Sequence, residues 1–313
     1  MRFALMIEPQ QGLTYADQLA IAKAAEGAGF EALFRSDHYE SFPGPVDQPT
    51  TDAWTVLAGL ARETSRIRLG TLVSPVTFRL PGNLAKVVTT VDEMSGGRVE
   101  VGLGAGWHES EHRRHGLPFP PIDERAEMLE EQLQILHGVW DEPDGWSLKG
   151  RHYTVEDALF RRKPEPRPRI LVGGGGTPRG MRIAARWADE FNLSSSSPDL
   201  ARSKFAALDE ACRAAGRDPA TLTRSAMAGV LVGANAGELR TREKALLATL
   251  GGDAGDDWLD ERRQRWVYGS PDDARATVAR FAEAGVERIM LQDFVPRDLA
   301  MIELLGRELV ARG

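Results

Sequence analysis

Short apolar segments alternate along the chain with longer segments whose apolar residues recur at helical spacing. Eight apolar segments are each predicted to form a strand: Arg2–Ile7, Phe30–Phe34, Ile67–Val73, Arg98–Leu103, Arg169–Val172, Glu190–Leu193, Ala226–Val232 and Val286–Gln292. Segments of helical periodicity lie between and after them: Tyr15–Ala28, Thr51–Glu63, Asn83–Met94, Arg125–Trp140, Arg179–Trp187, Asp199–Ala215, Ala236–Leu250, Asp272–Ala284 and Leu299–Val310. This alternation predicts a parallel sheet, and eight such units predict closure into a (β/α)₈ TIM barrel. An open doubly wound sheet is the alternative.

We expect a single domain over residues 1–313, because no break in composition and no long linker divides the chain. Asp141–Pro168 is predicted to be an irregular, proline-rich connection. The run Gly251–Trp266 has no strand character, so residues 234–267 are predicted to form an insertion or lid. Both irregular regions follow strands, which places them at the C-terminal face where barrel active sites lie.

Composition narrows the class of protein. The net charge of -7 repels phosphate backbones and argues against a nucleic-acid partner. Cys212 is the only cysteine, so no disulfide framework is possible and a reducing cytoplasm is expected. Neither a signal peptide nor an apolar run of membrane-spanning length is evident. We therefore expect a cytoplasmic protein that acts on a small molecule, with no membrane partner.

In a barrel the informative side chains follow the strands. His38 comes directly after the second strand, and at these strand ends it is the only side chain that titrates near neutrality. Its neighbour Asp37 can orient the imidazole, although adjacent residues of an extended chain point to opposite sides. A structural histidine is the alternative. The third strand runs into Ser74 and Pro75, which also fits a strand that simply ends.

Two glycine-rich segments follow strands four and five. Gly102–Trp107 matches only part of the dinucleotide fingerprint, but its small residues let a flat ring approach the backbone, and Trp107 can wall in that ring. A core tryptophan is the alternative. Gly173–Gly176 runs into a helix that begins at Thr177 or Pro178. Such a helix start predicts a phosphate site, with a purely structural glycine turn as the alternative.

The segment His108–His112 matches the H-E-x-x-H zinc motif. A metalloprotease helix is buried, whereas Glu111, Arg113 and Arg114 charge this one, so a solvated polar helix is favoured over a zinc hydrolase and no metal ligands are predicted. No lysine lies at a strand end, which disfavours a Schiff-base aldolase. Carboxylates are sparse there too, so the paired acids of a glycosidase are not evident.

Four segments together resemble the bacterial-luciferase-like flavin oxidoreductases, and most closely the branch that uses the deazaflavin coenzyme F420. These segments are FEALFRSDHY, LGTLVSPVTFRLP, MSGGRVEVGLGAGWHESEHRRHGLPFP and ILVGGGGTPRGMRIAARWADEFN. The resemblance covers roughly residues 1–233 and 268–293. It implies a (β/α)₈ barrel, a ring bound in the barrel mouth and a homodimer.

The resemblance also implies site residues. His38, Asp37 and Trp107 would be catalytic or lie at the ring, with His38 a proton donor or substrate anchor. The bulge at Leu72–Val73 would back the ring, often through a non-proline cis peptide. The residues implied to bind the cofactor ring or its phosphate are Leu72, Val73, Ser74, Ala105, Gly106, Trp107, Gly174, Gly175, Gly176 and Thr177.

The chain departs from its family at one position. The sugar-phosphate dehydrogenases of the family carry a catalytic glutamate where this chain has Trp107, which disfavours sugar-phosphate oxidation. Our hypothesis is hydride transfer between coenzyme F420 and a small, largely uncharged organic substrate. An FMN-dependent monooxygenase that uses Gly251–Trp266 as its lid, and a cofactor-free binding barrel, are the alternatives. A basic groove for the acidic tail would favour F420, with Arg79 and Arg179 as possible members.

Overall fold

The computed structural model describes residues 1–250 and 256–312. The strands in chain order are β1 (Arg2–Ile7), β2 (Ala32–Arg35), β3 (Arg68–Pro75), β4 (Val99–Gly104), β5 (Trp146–Lys149), β6 (Thr154–Ala158), β7 (Arg169–Gly174), β8 (Glu190–Leu193), β9 (Thr223–Val232), β10 (Val267–Gly269) and β11 (Arg288–Asp293). The helices are α1 (Tyr15–Gly27), α2 (Ala53–Glu63), α3 (Pro81–Ser95), α4 (Glu109–Arg114), α5 (Ile122–Asp141), α6 (Pro178–Trp187), α7 (Pro198–Ala214), α8 (Ala236–Leu250), α9 (Asp256–Arg265), α10 (Pro271–Glu283) and α11 (Leu299–Glu308).

Eight parallel strands close into a barrel. The hydrogen-bonded order is β9-β11-β1-β2-β3-β4-β7-β8, and β8 pairs with β9 to complete the ring. The short strand β10 pairs with the carboxyl end of β9 outside this ring. The predicted (β/α)₈ barrel is therefore confirmed. Among the described residues, no helix has both the length and the apolar character needed to cross a membrane.

Strand alternation builds two apolar layers. Ala4 and Met6 of β1 point into a small cluster inside the barrel, whereas Leu5 and Ile7 join the large core between barrel and helices. Both faces of the barrel strands are thus buried, which is why these strands appear in the sequence as continuous apolar runs. This burial makes them recognisable without an alignment.

Several predicted boundaries need correction. β2 starts at Ala32 rather than Phe30, because the Phe30 N–H donates to the Ala25 carbonyl of the preceding helix. The connection Asp141–Pro168 contains the antiparallel hairpin β5–β6, whose residues are exposed or half-buried and so form no apolar run. Within the predicted insertion or lid, residues 251–255 lie outside the described residues, and charged Asp256–Arg265 forms helix α9.

A buried charge cluster closes the amino-terminal end of the barrel. Arg288 is the first residue of β11, and it donates to Glu100 at 2.7 Å and to Glu190 at 3.2 Å. All three side chains are fully buried. Burial raises the pKa of Glu100, but Arg288 and Arg68 outweigh it and lower that pKa below the usual range. Burial instead dominates at Glu190 and raises its pKa. Arg288 is thus the shared counter-charge of two carboxylates.

We expect Arg288→Met to lower the free energy of unfolding by about 3–5 kcal/mol, because it removes the buried cation that Glu100 and Glu190 share and leaves each with only one partly exposed arginine. Urea denaturation measures this loss. The matched control is Arg213→Met, which removes only an exposed ion pair with Glu210, and we expect it to cost less than about 1 kcal/mol. Equal losses in the two variants would contradict the role given to Arg288.

Candidate functional site

A large cavity opens at the carboxyl ends of the barrel strands. Its volume is about 1280 Å³, and residues within or shortly after each of the eight barrel strands line it. This exceeds the usual size of a small-ligand pocket, so a tricyclic ring, its phosphate and a substrate fit together. The strand-end residues named from the sequence can therefore be checked against one cavity.

His38 lines this cavity and is held from behind by a carboxylate. Its Nδ1 lies 2.9 Å from Oε1 of Glu111, and the other oxygen of Glu111 accepts the Tyr39 N–H at 2.9 Å. Glu111 is fully buried. An ionised carboxylate can only accept, so this arrangement puts the imidazole proton on Nδ1. Nε2 has no partner among the described residues and is the ring nitrogen left for a ligand.

Asp37 and Ser74 do not line the cavity, and neither does Arg79. The Ser74 hydroxyl donates to Asp37 at 2.6 Å, and Arg79 Nη1 donates to the same carboxylate at 2.5 Å. Burial lowers the pKa of Arg79, but Asp37 and Asp52 outweigh it and raise that pKa. Asp37 therefore lies behind the cavity wall next to His38, and Arg79 is not part of a basic groove.

The implied bulge of the third strand is present and explains two of the nearby glycines, Gly104 and Gly173. The Leu72–Val73 peptide is cis, and the register of β3 against β4 shifts between Thr71 and Ser74. A Cβ on Gly104 or Gly173 would lie 2.7 Å from a methyl group of Val73. Gly104 was interpreted from the sequence as room for a flat ring and Gly173 as part of a phosphate-binding turn, but the Val73 side chain is what leaves no room for a Cβ at either position. Leu72, Val73, Ala105, Gly106 and Trp107 all line the cavity.

The glycine turn at the end of β7 leaves backbone N–H groups free at the start of a helix. Gly174, Gly175, Gly176 and Thr177 all line the cavity. Thr177 caps α6 by accepting the Gly180 N–H, and none of the described residues accepts from the N–H groups of Gly175, Gly176 and Thr177. Three free donors at the positive end of a helix bind an anion such as phosphate. Arg179 also lines the cavity, but its guanidinium donates to Asp123 at 2.9 Å.

Helix α9 supplies a wall that the sequence did not predict in detail. Trp258, Arg262 and Arg265 of this helix line the cavity. Arg265 Nη2 donates to the Ser195 carbonyl at 2.9 Å, which fixes α9 to the end of β8, beside the glycine turn of β7. Glu261 of the same helix also lines the cavity and accepts from Arg262 at 2.6 Å and from Arg265 at 3.2 Å, so this wall carries two guanidinium groups and one carboxylate.

Aromatic rings form the rim around His38. Trp107 is 65% exposed, and its ring centroid lies 5.9 Å from that of His38 and 5.3 Å from that of Phe42, edge to face in both cases. Trp107 is thus a wall of the cavity and not a core residue. A ligand that reaches the His38 imidazole through this rim therefore contacts the aromatic rings of Trp107 and Phe42.

The H-E-x-x-H segment differs from the expected solvated helix. It forms α4, but Glu111 and His112 are fully buried. Both ring nitrogens of His112 contact protein oxygens: Nε2 lies 2.6 Å from Thr77 Oγ1 and Nδ1 lies 2.8 Å from the His108 carbonyl. Burial lowers the pKa of His112. Within residues 1–250 and 256–312, no group of three or more possible ligands is arranged around a metal position.

Four polar side chains on the cavity floor were missed. Glu8 follows β1, Gln10 lies just beyond it, Ser36 follows β2 and Gln292 lies near the end of β11. Glu8 accepts from Gln10 at 2.8 Å and from Gln292 at 2.5 Å. Their positions at the strand ends could have identified these residues. Glu8 directly follows β1, so carboxylates are less sparse at the strand ends than expected.

The sequence matches the luciferase-like monooxygenase family over residues 1–288. One relative, the F420-dependent glucose-6-phosphate dehydrogenase of Microbacterium testaceum (strain StLB037), is 34% identical over 197 residues, or 62% of this chain and 57% of the relative. The pyrimidine monooxygenase RutA of Stutzerimonas stutzeri (strain A1501) is 32% identical over 219 residues, or 67% of this chain and 59% of the relative. The matches thus span under two thirds of these relatives.

Solved structures share the fold at lower identity. An F420-dependent secondary alcohol dehydrogenase in complex with an F420-acetone adduct superposes with a TM-score of 0.84. The alignment covers 99% of this chain and 98% of that one, at 20% identity. At this identity the likeness concerns the barrel alone.

We expect Gly173→Ala to lower the free energy of unfolding by about 1–3 kcal/mol, because its methyl group would lie 2.7 Å from Val73 Cγ1. Urea denaturation measures the loss, and Gly82→Ala is the control, since nothing lies within 4 Å of a Cβ there. If Gly173→Ala were as stable as the wild type, the tight packing assigned to Val73 would be wrong.

Proposed function

The chain belongs to the luciferase-like monooxygenase family, and we propose that it transfers a hydride between coenzyme F420 and a small, largely uncharged organic substrate bound beside His38. One observation carries this proposal. The same cavity holds an imidazole fixed through Nδ1 and, after another strand, a glycine turn with free N–H donors. The first group handles a proton and the second holds an anionic cofactor.

The lining residues fit such a cofactor. The N–H groups of Gly175, Gly176 and Thr177 would take its phosphate, and Val73 with Ala105, Gly106 and Trp107 would surround its ring. Arg262 and Arg265 share Glu261 as their counter-charge, so this wall keeps one net positive charge, which would attract the acidic tail that F420 has and FMN lacks. When bound, the deazaflavin supplies the carbon that accepts or donates the hydride.

His38 would manage the proton that accompanies hydride transfer. In the oxidation of an alcohol, Nε2 takes the hydroxyl proton as the carbon gives up its hydride, and in the reverse direction the imidazolium returns that proton. Glu111 holds the ring through Nδ1 and stabilises the positive charge that forms. Trp107 and Phe42 limit the access of water to the imidazole.

We expect the purified protein to bind F420 more tightly than FMN, as followed by cofactor fluorescence. The Arg262→Met/Arg265→Met double variant should weaken F420 binding roughly tenfold and leave FMN binding within about twofold, because only the acidic tail meets these cations. Arg202→Met, which is exposed on α7, is the control. Tighter binding of FMN would favour the monooxygenase alternative, and binding of neither cofactor would refute the proposal.

We expect Glu111→Gln to lower the turnover number for F420 reduction roughly 100-fold without changing F420 affinity, because the imidazolium loses its charged partner. The assay follows deazaflavin absorbance with secondary alcohols from propan-2-ol to cyclohexanol. Glu109→Gln removes an exposed carboxylate of the same helix and should keep full activity. A Glu111→Gln enzyme with unchanged turnover would remove the proton role from this pair.

A further inference from the structure

The polar cluster on the cavity floor has a consistent direction of hydrogen bonding. The Ser36 hydroxyl donates to Gln10 Oε1 at 2.6 Å, and the Gln10 amide donates to Glu8 Oε2 at 2.8 Å. The Gln292 amide donates to Glu8 Oε1 at 2.5 Å. The opposite amide orientation would set two oxygens against each other, so the carboxylate fixes the orientation of both glutamines.

With this direction of hydrogen bonding, some acceptor positions of the cluster have no donor. A carboxylate has about four acceptor positions, and only two on Glu8 are filled. Glu8 lines the cavity, and none of the described Lys, Arg or His side chains lies within 4.0 Å of it. A buried carboxylate with neither cation nor full hydrogen bonding is costly, so the site gains when a ligand donates to it.

A second wall of the cavity also contains a hydrogen-bond acceptor without a donor. Asn192 on β8 lines the cavity and is 1% exposed. Its amide nitrogen donates to Ser225 Oγ at 2.9 Å, so the side-chain oxygen points away from Ser225. That oxygen is buried and has no partner among the described residues. The Asn192 oxygen is therefore an unpartnered acceptor buried within the wall, and Glu8 is the residue whose unfilled acceptor positions a ligand in the cavity would meet.

We propose that Glu8, with Gln10 and Gln292 holding it, is a substrate-anchoring residue that selects an uncharged molecule carrying N–H or O–H donors. This deepens the proposed function by naming the class of substrate. A molecule with only acceptors would leave the cluster unsatisfied, and an anionic molecule would meet the charge of Glu8. The Gln10 amide also donates to the Phe42 carbonyl at 3.4 Å, so the cluster lies next to the aromatic rim, which would accept the apolar body of the same molecule.

The test uses three probes that share a benzoyl group: benzamide, N,N-dimethylbenzamide and benzoate. Isothermal titration of the full-length protein, with and without F420, should give benzamide at least about tenfold tighter binding than the other two. Glu8→Gln should reduce that preference to less than about threefold and leave F420 affinity unchanged. Glu109→Gln, a matched change on an exposed residue, should keep the preference.

Equal binding of the three probes to the wild type, or no binding of benzamide at millimolar concentration, would overturn the proposal, and neither result needs a variant that folds. A preference that survives in a folded Glu8→Gln protein would also overturn it. Binding of the three probes reports on the Glu8 cluster, and binding of F420 reports on the cofactor site. A protein that selects benzamide but does not bind F420 would therefore refute the hydride-transfer proposal and keep this one.

Discussion

The contact between Val73 and the glycines of two neighbouring strands sets the shape of the site. Because Gly104 and Gly173 have no side chains, the bulge of β3 can push Val73 against β4 and β7. Ser74, the next residue, then turns away from the cavity, where it accepts the Trp54 indole N–H at 3.1 Å and donates to Asp37. Asp37 is held behind the wall in this way, and its neighbour His38 on the extended chain points into the cavity.

Different chemical groups meet in the cavity that results. The His38–Glu111 pair can move a proton, the turn at Gly175–Thr177 can hold an anion, and the floor around Glu8 offers acceptors. Each belongs to a different strand end, and barrel closure brings all of them to one mouth. The amino-terminal end is closed instead by the buried Arg288 cluster, so stability and chemistry occupy opposite ends of the barrel.

The parts of the site that were predictable from the sequence are those with a local signal. The position of His38 after β2 and the glycines before α6 depend on neighbours in the chain, and both line the cavity as expected. Glu111 lies 73 residues from His38, and Gln292 lies 284 residues from Glu8. No local sequence pattern links such pairs. The charge of Glu111 was therefore interpreted as a sign of a solvent-exposed helix, whereas Glu111 is buried against His38.

The sequence by itself determined the alternating strands and helices, and hence the barrel, because strands buried on both faces are continuous apolar runs. It also determined which residues stand at the strand ends. Only the tertiary structure decided which of them face the cavity: His38 does, whereas Asp37 and Ser74 do not. The reason is physical, since a bulge shifts the two-residue alternation of a strand and side chains far apart in sequence supply the partners.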